Sequence, residues 1–279
     1  MVTIENLSFE YRGSQKKLFE DFSLSIEKGK VYGLLGKNGV GKSTLLYLIT
    51  GLLKPKCGGV CFDKVNVSQR LPKTLQDIYI VPEEFELPSI SFRKYVECNK
   101  SFYPRFSMDD LEKYLKCFEL NMDVNLGALS MGQKKKVYMS FALATNTSLL
   151  VMDEPTNGLD IPGKSQFRKF IASGMNDDKT IIISTHQVRD IDTLLEHVII
   201  MDKNEVLLNE SVTTICEKLL FVEASSNETS DGALFVFPSL QGKQMIFPNT
   251  ENDESAINLE LLFNATLNET KIIKTLFQQ

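Results

Sequence analysis

VYGLLGKNGVGKSTLLYLIT, residues 31–50, governs the reading of everything around it. Its first five residues are apolar without alternation, the pattern of a strand buried on both faces of a parallel sheet. From Lys42 the apolar residues recur at helical spacing and stop at Gly51, a residue suited to closing a helix, with Pro55 as a second stop. Between strand and helix lies Gly36-Lys37-Asn38-Gly39-Val40-Gly41-Lys42-Ser43-Thr44, which fits G-x-x-x-x-G-K-[ST] in the strand-to-helix context that motif requires. Glycines there let backbone N–H groups close around phosphates, and the helix N-terminus adds its positive end. Lys42 would reach the β- and γ-phosphates of a nucleotide, and Ser43 would offer its hydroxyl to Mg²⁺.

A second formal match, from Gly158 to Gly163-Lys164-Ser165, is a decoy. Pro162 has no N–H to give, Asp160 would put a carboxylate among the phosphates, and no strand runs directly into Gly158. The chain therefore carries one nucleotide cassette. Leu149-Leu150-Val151-Met152-Asp153-Glu154 is an apolar strand ending in two carboxylates. Downstream of a phosphate-binding loop such a pair has separate jobs: Asp153 holds the Mg²⁺ shell, and Glu154 orients and deprotonates the attacking water.

Outward from these motifs, residues 2–11 and 22–29 read as half-buried strands, and residues 59–67 as a further strand. After a strand ending at IYIVP, residues 83–129 change texture: residues 92–103 and 108–120 carry apolar residues at helical spacing, the second run with Ser107 as N-cap. That is an inserted helical subdomain. The α/β alternation then resumes with strands at SLLVM, TIIIST, VIIMD and EVLLN. From residue 221 to 279 the chain holds eight acidic and three basic residues, the whole formal net charge of −5. It reads as a small accessory region of two strands, ALFVFP and KQMIFP, closed by the helix INLELLFNATL, with the domain boundary at 220/221.

The chain has 279 residues, 43% of them hydrophobic, enough for a full core. A net charge of −5 argues against a nucleic-acid partner, and the run Lys134-Lys135-Lys136 reads as a solvated helix face. No stretch approaches the roughly 20 apolar residues that span a bilayer, and no signal-peptide pattern opens the sequence, so the expected place is the cytoplasm. Five cysteines in that setting are expected as reduced thiols, and Cys57 and Cys61, flanking a Gly-Gly turn, lack the further ligands a zinc site needs.

Leu129-Ser130-Met131-Gly132-Gln133, just upstream of the strand ending in Asp153 and Glu154, resembles the LSGGQ signature of the ABC ATPases. The resemblance covers residues 1 to about 220. Asn157-Gly158-Leu159-Asp160 is similar to the family's D-loop, and His186, after TIIIST, looks like its switch histidine. Tyr11 lies where the family places an aromatic residue that stacks on adenine. Two positions depart from the pattern: Met131 stands for a glycine, and Glu83 for the Q-loop glutamine, where a carboxylate can still hold a Mg²⁺-bound water.

The resemblance implies a P-loop NTPase with a RecA-like α/β core, an antiparallel β layer from the early strands, the helical subdomain and the accessory tail. It implies ATP and Mg²⁺ as cofactors. Catalytic residues would be Glu154, His186 and Lys42. Nucleotide contacts would come from Tyr11, residues 36–44, Ser130, Gly132, Gln133 and Asp160, and metal contacts from Ser43, Glu83 and Asp153. The implied partners are separate transmembrane permease subunits and a second cassette, identical or homologous, docked head to tail so that one subunit's signature completes the other's P-loop. Glu83, residues 101–120 and INLELLFNATL resemble cassettes of exporters whose membrane domains are separate proteins, and the family resemblance implies a peripheral place at the cytoplasmic face of the membrane. Two other readings stand beside this one. A soluble, non-transport ABC-type ATPase generally shows two cassettes, a long coiled coil or basic surfaces, none of which the sequence has. A nucleotide-binding regulatory module with little turnover is suggested only by Met131 and Glu83.

Overall fold

The computed structural model describes residues 1–13, 17–240, 242–251 and 253–277. In chain order it forms β1 (Val2–Phe9), β2 (Phe19–Ile26), β3 (Val31–Leu35), α1 (Lys42–Ile49), β4 (Cys57–Phe62), β5 (Val65–Asn66), α2 (Pro72–Leu75) and β6 (Ile78–Val81). Then come α3 (Phe92–Asn99), α4 (Met108–Cys117), α5 (Met131–Ala144), β7 (Leu149–Asp153), α6 (Ile161–Gly174) and β8 (Thr180–Thr185). The chain continues through β9 (His197–Asp202), β10 (Glu205–Ser211), α7 (Val212–Lys218), β11 (Leu219–Ala224), β12 (Phe235–Ser239), β13 (Gly242–Pro248), α8 (Leu259–Asn268) and α9 (Thr270–Phe277).

The unbroken apolar strands lie together, as expected of a buried parallel sheet: the order is β10-β9-β3-β8-β7-β6, and only β10 runs antiparallel to its neighbour. Every residue of β3, β7 and β8 is buried. The alternating early strands form the second layer, an antiparallel sheet of order β2-β1-β4-β5. Its inward residues, Ile4, Leu24 and Val60 among them, share a core with α1 and with Leu34, Val151 and Ile182 of the main sheet. This two-layer α/β arrangement is the expected one.

Four expectations need correction. Residues 59–67 are two strands, because Asp63 and Lys64 both take positive φ (45° and 68°) and turn the chain back on itself. Cys57 and Cys61 lie on one strand rather than astride a turn; Gly58, at φ 69°, is a bulge facing Asn6, where an added Cβ would meet the Asn6 carbonyl at 2.3 Å. The lysine run is not solvated: Lys135 is buried, while Lys136 is half-buried and places its ammonium over the Phe118 ring. Finally, residue 220 falls inside β11, which pairs with β13, so the expected boundary cuts a strand.

The tail is also no loose appendage. Ile246, Leu259, Leu261, Leu262, Ala265 and Ile273 join the same core cluster as Val198, Ile200, Leu207 and Ile215 of the α/β domain. The amphipathic pattern of α8 therefore serves the main sheet rather than a core of the tail's own. Leu262 is fully buried there. Leu262→Ala should cost about 2–5 kcal/mol and lower the melting temperature by roughly 5–15 °C. A variant melting within about 2 °C of wild type in a calorimeter would show that α8 is not part of the core.

Candidate active site

The parallel register delivers the functional residues. Leu35, the last residue of β3, pairs with Thr185 of β8, while Asp153 at the end of β7 pairs with Ser184. Three strands thus end at one level, and the loops that leave them meet at the carboxyl edge of the sheet. A cleft of about 530 Å³ opens there, lined by Tyr11, Asn38, Gly39, Gly41, Lys42, Ser43, Thr44, Glu83, Glu154, Asn157 and His186, with Leu18.

The loop after β3 needs its glycines. Gly41 precedes α1 at φ 105°, and an added Cβ would sit 2.9 Å from the Phe19 ring. At Gly36 a Cβ would meet the Met201 carbonyl at 2.7 Å. Lys42 opens α1 and is 7% exposed; its Nζ donates to the carbonyls of Gly36 (2.8 Å) and Lys37 (3.3 Å). Burial lowers its pKa, and Glu154, Asp153 and Glu83 pull it back up. The arrangement is a desolvated cation aimed at a polar cleft, with neutral carbonyls for company.

Glu154 is 5% exposed and holds φ 45°, the left-handed region that a non-glycine residue adopts only under constraint. Its N–H donates to the Ser184 carbonyl at 3.0 Å. Its carboxylate accepts from the Thr185 hydroxyl (3.0 Å) and the His186 N–H (3.0 Å), and His186 Nδ1 lies 2.8 Å away. Asp153 is buried behind it, with Oδ1 accepting from the Ser184 hydroxyl. Glu83 accepts from Asn157 Nδ2 at 3.0 Å, which links the loop after β6 to the loop after β7. The Tyr11 hydroxyl lies 2.8 Å from Thr44 Oγ1, and its ring, 48% exposed, stands at the mouth of the cleft.

Several expected residues lie outside this cleft. Val40 is buried, and Gly36 and Lys37 face a neighbouring cavity instead. Ser130 caps α5, accepting from Gln133 N–H, while Gln133 Oε1 accepts from Ser130 N–H: a reciprocal cap that uses both side chains within the subunit. Asp160 caps α6, accepting from Gly163 N–H at 3.0 Å. Gly132 packs against the Gly158 carbonyl, which an added Cβ would approach to 3.2 Å, so the signature and the D-loop form one continuous surface. Lys164 of the decoy motif is paired with Asp190 and does not line the cleft.

One important residue escaped the sequence reading. Lys135 Nζ donates to the carbonyls of Glu154 and Asn157, both at 2.9 Å. Burial lowers its pKa, opposed by Glu83, Glu154 and Asp153. It is the buried tie between the signature helix α5 and the loop that carries Glu154. Its burial could be inferred only from α5 having lysine at a position that faces inward, a signal hidden within a run of three.

The donor set suits a divalent cation of the Mg²⁺ type. The Ser43 hydroxyl and the Glu83 carboxylate face one cleft with Asp153 close behind, all oxygens, and the described residues contain no all-protein cage. Mg²⁺ is ordinarily held by one or two carboxylates together with substrate phosphates.

The family model described as ABC transporter matches residues 19–157. The chain is 32% identical over 232 residues to the methionine import ATP-binding protein MetN of Carboxydothermus hydrogenoformans, covering 77% of this chain and 67% of that one. It is 30% identical over 224 residues to the energy-coupling factor transporter ATP-binding protein EcfA2 of Clostridium tetani, covering 75% and 78%. The ABC transporter ATP-binding protein YtrB of Bacillus subtilis is 28% identical over 208 residues, covering 74% and 70%. Among solved structures, the ATP-binding cassette MJ0796, a dimer in a post-hydrolysis state with ADP and Pi, superposes with a TM-score of 0.67 at 26% identity, over 76% of this chain and 99% of that one.

Two substitutions test the site. Lys42→Ala removes the cleft's buried cation and should strongly weaken ATP binding and abolish hydrolysis; wild-type affinity by fluorescent-nucleotide titration would contradict the assignment. Lys135→Met keeps the apolar stem and removes the ammonium, leaving the Asn157 carbonyl short of a donor. It should lower turnover about tenfold while changing ATP affinity less than about twofold. Equal losses in both would assign Lys135 to binding.

Proposed function

The chain belongs to the ABC transporter family as an ATP-binding cassette, an ATPase, and on that premise we propose that it drives export through membrane-spanning subunits carried on separate chains. The observation that carries the catalytic part is Glu154: a buried carboxylate at the end of a sheet strand, fixed by Thr185 and His186, across the cleft from Lys42. Lys42 and the glycine loop bind the phosphates, and Tyr11 offers its face to the base. Glu154 accepts the proton of the attacking water, and His186 holds Glu154 and faces the γ-phosphate. Ser43, Asp153 and Glu83 would hold Mg²⁺, which would supply charge neutralisation at the phosphates.

The head-to-tail dimer is supported by what the subunit leaves at its surface. Ser130, Gly132 and Asp160 lie outside their own cleft, on a surface that also presents Met131 at 55% and Ile161 at 86% exposure. A second cassette, identical or homologous, would cover these side chains and receive the signature against its own bound ATP. Among the described residues no helix is long and apolar enough to cross a membrane, which fits a subunit bound peripherally at the cytoplasmic face. The direction of transport rests on Glu83, residues 101–120 and residues 257–267, which resemble exporter cassettes. With the membrane partner in liposomes, ATP on the cassette side should move cargo away from that side; movement toward it assigns import, the direction named for MetN.

Glu154→Gln preserves size and hydrogen bonding and removes the proton acceptor. It should spare ATP binding, slow turnover by roughly 10²-fold or more, and accumulate as an ATP-bound dimer by size exclusion with light scattering, where wild type stays mostly monomeric. Near-normal turnover would remove Glu154 as the base. A variant that stays monomeric at saturating Mg²⁺-ATP, alone and mixed with any second cassette, would remove the sandwich.

A further inference from the structure

The tail reaches the catalytic cleft from behind. A second cavity, of about 180 Å³, is lined by Leu35, Gly36, Lys37, Asn38, Thr185, His186, Val188 and, from α8, Phe263. Asn38 and His186 line both this cavity and the nucleotide cleft, so they form the partition between them. On one side of His186 is the γ-phosphate region and on the other is a phenylalanine of the C-terminal helix.

The loop that carries His186 is gripped by two helices. The 3₁₀ turn Val188–Asp190 follows it directly. On the α6 side, Lys164 donates to Gln187 Oε1 (2.9 Å) and pairs with Asp190, while Arg168 donates to the Asp190 carbonyl at 3.3 Å. On the α8 side, Arg189 pairs with Glu260 at 2.6 Å, and Val188 and Ile191 are buried in the cluster that contains Leu259, Leu261 and Leu262. The Arg189–Glu260 pair is solvent-exposed and contributes little by itself, so the apolar packing sets the position. Because packed interiors hold their parts in discrete arrangements, a displacement of α8 is transmitted to the turn and hence to the histidine.

We infer that Phe263 is a positioning residue for His186, through which the C-terminal region of this chain sets the rate of hydrolysis without touching ATP. The inference rests on the ATPase reading of the cleft and deepens it: the accessory region becomes the regulatory input of the same site. A ligand or partner that shifts α8 would change turnover and leave nucleotide affinity unaltered.

The test is a set of variants of the full chain, assayed for Mg²⁺-ATP affinity and single-turnover hydrolysis. Phe263→Ala should lower the hydrolysis rate about tenfold with affinity within about twofold, and Phe263→Leu, which keeps most of the bulk, should lose about threefold or less. In a His186→Ala background the Phe263→Leu substitution should cost almost nothing further, because the residue it acts through is gone. Full hydrolysis in Phe263→Ala, parallel losses of affinity and rate, or an undiminished effect of Phe263→Leu without His186 would each overturn the inference. Should Phe263→Ala fail to fold, the Phe263→Leu pair with and without His186 decides it alone. Wild-type protein that binds Mg²⁺-ATP without releasing phosphate would instead overturn the underlying ATPase reading, before any variant is made.

Discussion

The structure depends on one constraint, the parallel register of β3, β8 and β7. Leu35 is level with Thr185, and Asp153 with Ser184, so the three strands release their chains at a common edge. Everything chemical follows from that alignment. The glycine loop curls back over the edge to place Lys42, β7 delivers two carboxylates, and β8 delivers the threonine and histidine that hold one of them. A slip by one residue in any of the pairings would turn Thr185 or Asp153 to the opposite face and scatter the site.

Glu154 is where the strain of this arrangement concentrates. A glutamate at φ 45° persists only because its surroundings overdetermine it: Ser184 takes its N–H, Lys135 its carbonyl, and Thr185 and His186 its carboxylate. Each of these ties leads somewhere else. Lys135 belongs to the signature helix, Asn157 is tied to Glu83 in the loop after β6, and His186 backs onto the cavity that α8 closes. Glu154 therefore sits at the crossing of the signature helix α5, the sheet and the tail, and a conformational change in any of the three has a route to it. Residues 83–129 and α5 are anchored to β6 by rings: Tyr79 lies 5.2 Å from Tyr103 and 6.0 Å from both Tyr138 and Phe141, and burial raises the Tyr79 phenol well above its usual pKa.

Much of this was legible in the amino-acid sequence because the decisive signals are local. The continuous apolar strands, the glycine loop and the paired carboxylates each declare themselves within a few residues, and Ser107 caps its helix in the way short-range rules anticipate. What stayed hidden depends on distant parts of the chain. Lys135 looks like its two lysine neighbours until α5 docks and turns it toward the loop after β7. The tail's acidity suggested a separate body, yet charge describes its surface, and the leucines of α8 pack on strands that precede it by some sixty residues. Asp63-Lys64 lacks the glycine that usually announces a hairpin, and so β4 and β5 read as one strand. Ser130, Gly132 and Asp160 show the opposite case: sequence resemblance names their role, and a single subunit cannot display it.

The central claim is that this one cleft both binds and splits ATP, and the wild-type chain itself tests it. Melting temperature and inorganic phosphate should be followed on the same sample as Mg²⁺-ATP is titrated, with EDTA as the control. The account predicts a rising melting temperature that saturates together with the rate of phosphate release, and loss of that release when the metal is chelated. A melting temperature that rises while no phosphate appears would contradict it, and would make the chain a nucleotide-binding module that no longer turns over.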